Sequence, residues 1–204
     1  MKRERGFTLL ELLIVVAIVI VVAAIGVPSL VPFIQNGRIT TVTNDMISAL
    51  HVARSEAIRM GSVGCVCPSA NPTADPTGGT PPACNATDNW EQGWISFLED
   101  SGGVCNFTSG ADVLLKVWDG SNYAGKLTVR VASDNGTITD VDSVRFNSRG
   151  SPVSSLGLMQ QGVFNICDDR GVGDINGKSV ARGVQMTIAG SVKSTKKSSK
   201  IVCP

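Results

Sequence analysis

An α+β fold, one long N-terminal helix laid against antiparallel β-sheet, is predicted by three observations. The chain opens on an apolar run of helical length. A second stretch then repeats apolar residues at three- and four-residue spacing, and everything after Gly61 breaks into short runs separated by turn residues. At 204 residues the chain suits an anchor plus one domain, and 43% hydrophobic with 17% charged residues is ordinary for a globular protein.

The apolar run from Phe7 to about Val27 is long enough, at about 1.5 Å per residue, to cross a hydrocarbon core of about 30 Å. Lys2, Arg3, Glu4 and Arg5 precede it, and their net positive charge places the N-terminus in the cytoplasm and exports the rest. One carboxylate, Glu11, sits inside the run. A charge near the middle of a membrane helix costs about 2.5 to 3.5 kcal/mol on insertion scales, so Glu11 marks a function and needs a partner. A secretory signal peptide and a plain membrane anchor compete with this reading. The first would stop at a small-residue site, whereas this run continues into helix-like sequence. The second leaves Glu11 unexplained.

Gly26, Pro28 and Pro32 then interrupt the run, and each proline removes a helix hydrogen bond, so a kink or weak point is expected there. Beyond it the pattern is amphipathic. Ile39, Val42, Met46, Leu50, Ala53 and Ala57 form a stripe, with Arg38, Asn44, Asp45, Arg54 and Glu56 off it. One helix face should therefore pack on a sheet, and Gly61 is the expected C-cap. His51, the single histidine of the sequence, has no nucleophile near it in sequence and reads as a surface or packed residue.

Strands are expected over Ser62 to Cys67, Gly93 to Leu98, Val113 to Trp118, Leu127 to Val131, Ser143 to Asn147, Val163 to Cys167 and Val184 to Ile188. Pro68 to Pro82, rich in Pro, Gly, Thr and Asn, reads as a loop. All six cysteines (Cys65, Cys67, Cys84, Cys105, Cys167 and Cys203) follow the apolar run, on the exported side, where an even count favours disulfides. Cys203 with Cys167 is the preferred pair, because that bridge ties down a terminus. Cys65 and Cys67 share one strand face and should bond elsewhere, with Cys84 and Cys105 as the remaining partners. A thiolate metal site is the rival reading, but the C-x-C spacing does not suit it, and no metal or cofactor is expected.

A net charge of +1 hides a polarised chain. From Ile175 to the end there are six basic residues (Lys178, Arg182, Lys193, Lys196, Lys197 and Lys200) and no acid. Lys193, Lys196, Lys197 and Lys200 are candidate phosphate contacts for DNA; the alternative is a lysine-rich edge that discourages aggregation. Asp168, Asp169, Asp174 and Asn176 offer oxygens in a Gly-rich stretch, though not at EF-hand spacing. Asn85-Ala86-Thr87 and Asn106-Phe107-Thr108 match acceptor sequons. Phosphate loops, catalytic triads and zinc-protease motifs do not occur, so an enzyme is not expected.

Arg5-Gly6-Phe7-Thr8-Leu9-Leu10-Glu11-Leu12-Leu13 resembles the class III signal of type IV pilins and type II secretion pseudopilins. The resemblance implies cleavage by a prepilin peptidase after Gly6, methylation of the new amino terminus at Phe7, and an assembly role for Glu11. In a filament core free of water and lipid, Glu11 would pair with the amino group of a neighbouring subunit. Three further segments look like those recurring in the FimT, FimU and GspH group. They are His51 to Ile58, Asn89 to Phe97, and Val144 to Gly150.

Membership of that group implies a type IV pilin-like fold and a minor pilin that primes assembly near the filament tip with other minor and major pilins. The alternative is a minor pseudopilin of type II secretion. The implied division is a leader at 1–6, a membrane and filament-core half-helix at 7–31, an amphipathic half at 32–61 and a periplasmic β-rich domain at 62–204. Such a chain would sit in the inner membrane as a single pass before entering the pilus. Some FimT-like members bind DNA through a Gly-Arg-x-Arg motif; the matching stretch here, Gly190-Ser191-Val192-Lys193, lacks both arginines.

Overall fold

A computed structural model of the chain describes residues 8–85, 89–100, 105–123, 125–132, 141–153, 161–175 and 178–204. It divides into two compact units, Met1–Arg38 and Ile39–Pro204. Helix α1, Leu9–Met60, contributes to both. Pro28 and Pro32, where a kink or weak point is expected, both lie inside α1; each lacks the N–H that would donate to the preceding turn.

In the first unit the large apolar side chains from Leu9 to Ile34 are exposed, and α1 is long and apolar enough to cross a membrane. In the second unit the predicted stripe is found in full. Ile39, Val42, Met46, Leu50, Ala53 and Ala57 are all completely buried, and Ala49 joins them. The helix ends as expected at Gly61, whose φ of 65° lies in the left-handed region that glycine adopts without a Cβ penalty. The Gly61 N–H donates to the Ile58 carbonyl at 3.4 Å, and the Ser62 N–H to the Ala57 carbonyl at 3.1 Å, which is the Schellman pattern.

Among the described residues nine strands follow: β1 Val63–Pro68, β2 Gly93–Glu99, β3 Val113–Asp119, β4 Thr128–Ala132, β5 Val144–Phe146, β6 Gly162–Cys167, β7 Asp174–Ile175, β8 Lys178–Met186 and β9 Val192–Lys197. Every pairing is antiparallel, but the strands form two sheets rather than the single one expected. The first has the order β3-β2-β1-β5; the second has the order β4-β6-β8-β7, with β9 paired to β8. Strand β8 starts earlier than its apolar end suggested, and β7 and β9 lay outside the expected set. Their sequences explain this. The buried positions of Lys178–Gly183 are the small residues Ser179, Ala181 and Gly183, and no residue of Val192–Lys197 is fully buried, so neither stretch shows an alternation of large apolar side chains.

One core joins the helix to both sheets. The α1 stripe packs with Val66, Trp94, Val144 and Phe146 of the first sheet and with Val129, Val131, Phe164, Ile166, Val184 and Met186 of the second. Trp90 bridges them, edge-on to Phe164 at 5.0 Å and donating from Nε1 to the Val141 carbonyl at 3.2 Å. Trp94 stacks on Trp118 at 3.9 Å, and Trp118 Nε1 donates to Asp45 Oδ2 of α1 at 3.1 Å. Helix and first sheet approach closely at Gly64, where a Cβ would collide with the Ala53 backbone carbonyl.

The opposite face of each sheet carries disulfides. Cys65 bonds Cys105 and Cys67 bonds Cys84 on the outer face of the first sheet, beside Ile95 and Phe97. The Cys67 bridge and Asn71, which donates to the Pro81 carbonyl and accepts from the Ala83 N–H, fasten the proline-rich loop. Cys167 bonds Cys203 on the outer face of the second sheet, beside Ala181 and Ile201.

Arg54, off the apolar stripe, clamps one turn and lies against a second. Its Nη1 donates to the Gly190 carbonyl at 2.7 Å and its Nη2 to the Ala189 carbonyl at 3.2 Å. Gly150 and Gly190 have φ of 76° and 73°. A Cβ on Gly190 would meet the Gly150 carbonyl oxygen and stand 3.1 Å from Arg54 Nε. The recurring segments around Arg54 and Gly150 thus meet at one spot.

Two outcomes follow for thermal unfolding of the folded domain. Gly64→Ala should cost about 1 to 3 kcal/mol, because a rigid backbone carbonyl must give way; an unchanged melting temperature would refute the close contact. Arg54→Met, which keeps the stem and removes both charged hydrogen bonds, should cost at least about 1.5 kcal/mol and speed amide exchange at Gly150 and Gly190. Parent-like exchange at those two amides would exclude the clamp.

Candidate assembly site and basic edge

Glu11 has a local partner. The Thr8 backbone N–H donates to Glu11 Oε2 at 2.9 Å and the Thr8 hydroxyl to the same oxygen at 3.1 Å. The Glu11 N–H donates back to Thr8 Oγ1 at 3.2 Å, and the Leu12 N–H bonds the Thr8 carbonyl at 3.2 Å. This is a capping box, closing the first turn of α1 and satisfying N–H groups that a helix start leaves orphaned. Thr8 is the residue that the sequence reading missed, although Thr-x-x-Glu ahead of an apolar run is its recognised signature. The helix dipole adds to the preference for a carboxylate at this end. Gly6 and Phe7, the expected cleavage and methylation positions, lie outside the described residues.

The C-terminal basic residues do not form one patch. Lys193, Lys197 and Lys200 line a groove with Gln185, Ser194 and Thr195. Lys196, one residue out of phase on β9, points by strand alternation to the other side. All four lysines are exposed. Strand β9 lies outermost in its sheet among the described residues, and its hydrogen bonds to β8 place Lys193 opposite Gln185 and Lys197 opposite Lys178. Arg182 is turned to other work: its Nη1 donates to the Ser179, Val180 and Ala181 carbonyls. Burial first, and Arg170 second, lower its pKa from the usual guanidinium value.

Among the described residues the acidic candidates do not assemble a cation site. Asp168 is nearly buried and is forked by Arg170, whose Nη2 stands 2.6 Å and Nε 2.9 Å from Oδ2. With its charge matched in this way, Asp168 is a poor calcium ligand. Asp174 belongs to β7, and Asn176 lies outside the described residues. Cys65, Cys105 and Glu99 come within 4.8 Å of one another, but the two sulfurs are bonded to each other and Arg145 lies 3.6 Å from the Glu99 carboxylate. His51 is exposed on α1, and so is Asn106 of the second sequon; the first sequon extends outside the described residues.

The family profile described as type II transport protein GspH matches residues 42–191, and the prokaryotic N-terminal methylation motif matches residues 1–27. Fimbrial protein Q of Moraxella bovis is 32% identical over 114 residues, covering 56% of this chain and 68% of that protein. Two Pseudomonas aeruginosa proteins named fimbrial protein are 41% identical over 61 residues, 30% of this chain; the match spans 39% of their length. The crystal structure of the type IV minor pilin FimU from Pseudomonas aeruginosa aligns with a TM-score of 0.47 at 16% identity, covering 81% of this chain and 98% of that one. With the GspH profile spanning most of the sequence and a pilin-type methylation motif ahead of it, the chain belongs to the GspH family of pilin-like proteins.

Proposed function

We propose that the chain is a minor pilin of a type IV pilus, a structural subunit rather than an enzyme. In this reading a prepilin peptidase cleaves after Gly6 and Phe7 becomes the methylated amino terminus. The mature protein waits in the inner membrane, with residues 7–31 in the bilayer and residues 62–204 in the periplasm. It then joins other minor and major pilins near the filament tip. The fimbrial relatives favour a pilus over type II secretion, for which the GspH profile itself is the argument.

The observation that carries the proposal is Glu11 within the apolar helix, joined to Thr8 in the capping box. The box satisfies the carboxylate in a single chain and so lowers the cost of keeping it in a membrane. On assembly the amino group at Phe7 of a neighbour supplies a full counter-charge, which also fixes axial register.

A second role is DNA contact along the basic edge, supported by the convergence of Lys193, Lys197 and Lys200 on one groove. Lysine contacts to phosphates need no base-reading geometry, so the absence of both arginines of the Gly-Arg-x-Arg motif does not remove them.

Glu11→Ala should leave the membrane-bound amount unchanged and reduce the share recovered in sheared filaments; equal recovery for variant and parent would overturn the assembly role. For the full chain in detergent micelles, three neutralised phosphates would weaken duplex DNA binding about fortyfold between about 50 and 200 mM salt. Changing Lys193, Lys196, Lys197 and Lys200 to Gln should abolish that binding. Undiminished binding by this variant would exclude the basic edge.

A further inference from the structure

The last residues of the chain cross their sheet instead of extending it. After β9 a single 3-10 turn, Ser198–Lys200, redirects the backbone. Ile201 is buried and lies over Gly183 of β8, where a Cβ would stand 3.4 Å from the Ile201 side chain and only 2.8 Å from Thr195 and Val163. Asn165 of β6 is fully buried, and its Oδ1 accepts the Val202 N–H at 3.2 Å. Its Nδ2 donates to the Val163 carbonyl at 3.2 Å and the Arg130 carbonyl at 3.4 Å, so the amide is held from both ends. Cys203 then bonds Cys167, also on β6. Residues 201–203 are therefore a strap, fixed to β8 by packing and to β6 by a hydrogen bond and a covalent bond.

This arrangement bears on the groove, because its three lysines are held in different ways. Lys193 and Lys197 ride on β9, which is hydrogen-bonded to β8. Lys200 follows the strand and immediately precedes the strap. A lysine on an unanchored tail must lose its conformational freedom when it meets a ligand, whereas one already held in place loses much less.

We propose that Asn165 and the Cys167–Cys203 disulfide are positioning groups for polyanion binding: by anchoring the strap they hold Lys200 in line with Lys193 and Lys197, making three phosphate contacts where β9 alone supplies two. The inference rests on the reading of the basic edge as a DNA contact. Neither positioning group touches the ligand, and their effect is carried by the placement of Lys200.

The salt dependence of binding separates this role from a purely structural one, because its slope counts phosphates neutralised in the complex and does not report domain stability. The full chain in detergent micelles would be titrated with a short fluorescent DNA duplex from about 50 to 200 mM salt. Lys200→Gln should reduce the slope of log affinity against log salt by about 0.9, one phosphate contact. Cys167→Ser with Cys203→Ser should reduce it by the same amount. Combining these changes should give no further loss, whereas adding Lys193→Gln to either should remove another contact. A parent-like slope for the double serine variant, beside a reduced slope for Lys200→Gln, would overturn the proposal. If circular dichroism shows that the serine variant does not fold, Asn165→Ala with the disulfide intact decides. It should shift the slope in the same direction, and a parent slope would overturn the coupling. Salt-independent or absent binding by the parent would instead defeat the DNA reading itself, and this inference with it.

Discussion

The domain depends on one shared surface, the apolar stripe of α1 from Ile39 to Ala57. Two sheets that share no strand pairing, among the described residues, both bury their inner faces against that stripe. A sheet of four or five short strands has little stability of its own, because too little apolar area leaves water to offset the entropy of ordering the chain. Packing both sheets on one helix makes a single core out of three otherwise marginal elements. Trp90 and Trp94 belong to that core, so packing accounts for these two aromatic residues of Asn89–Phe97. The clamp made by Arg54 extends the same logic to the turns, tying a helix residue to the hairpin between β8 and β9.

Among the described residues no second α-helix covers the outer faces, and here the disulfides stand in for a core. Strand alternation puts Cys65 and Cys67 on the face away from α1, since Val66 between them points into the main core. Each bridge closes a loop of modest length, with sequence separations of 40, 17 and 36 residues. Bridges of this size typically stabilise a small exported domain by about 2 to 4 kcal/mol. The third one has a second consequence. It ends a strap that sits over Gly183, a position where the missing side chain leaves room for Ile201. Packing, a buried amide and a covalent bond therefore converge on the chain segment beside the lysine groove.

The two ends of the molecule follow different electrostatic rules. At Glu11, within an apolar stretch of sequence, Thr8 supplies the polar partners among the described residues, through its backbone N–H and its hydroxyl. On β9 the lysines face solvent, where repulsion between them is screened and like charges can line one groove at little cost. A charged outermost strand also resists pairing with another chain. The proposed anion contact and the protection of an edge would make the same demand on β9, exposed lysines along Val192–Lys197.

Much of this protein was legible from residue order alone. The stripe on α1, the Gly61 cap and the positions of most strands are encoded in short-range periodicity, because burial on one face of a helix or strand imposes a repeat of 3.6 or 2 residues. The membrane-compatible segment and its single acid are equally local, and so is the Thr-x-x-Glu box. What the tertiary structure alone decided was who meets whom. The split into two sheets, the pairing of β1 with β5, the assignment of Cys65 to Cys105 and Cys67 to Cys84, and the meeting of Arg54 with Gly150 and Gly190 all join residues far apart in sequence. Strand β9 escaped notice for a related reason. An outermost strand with neither face buried carries no apolar repeat, and only its hydrogen bonds to β8 make it a strand. Local patterns record which side of an element is dry; the neighbour that keeps it dry is fixed only when the whole chain packs.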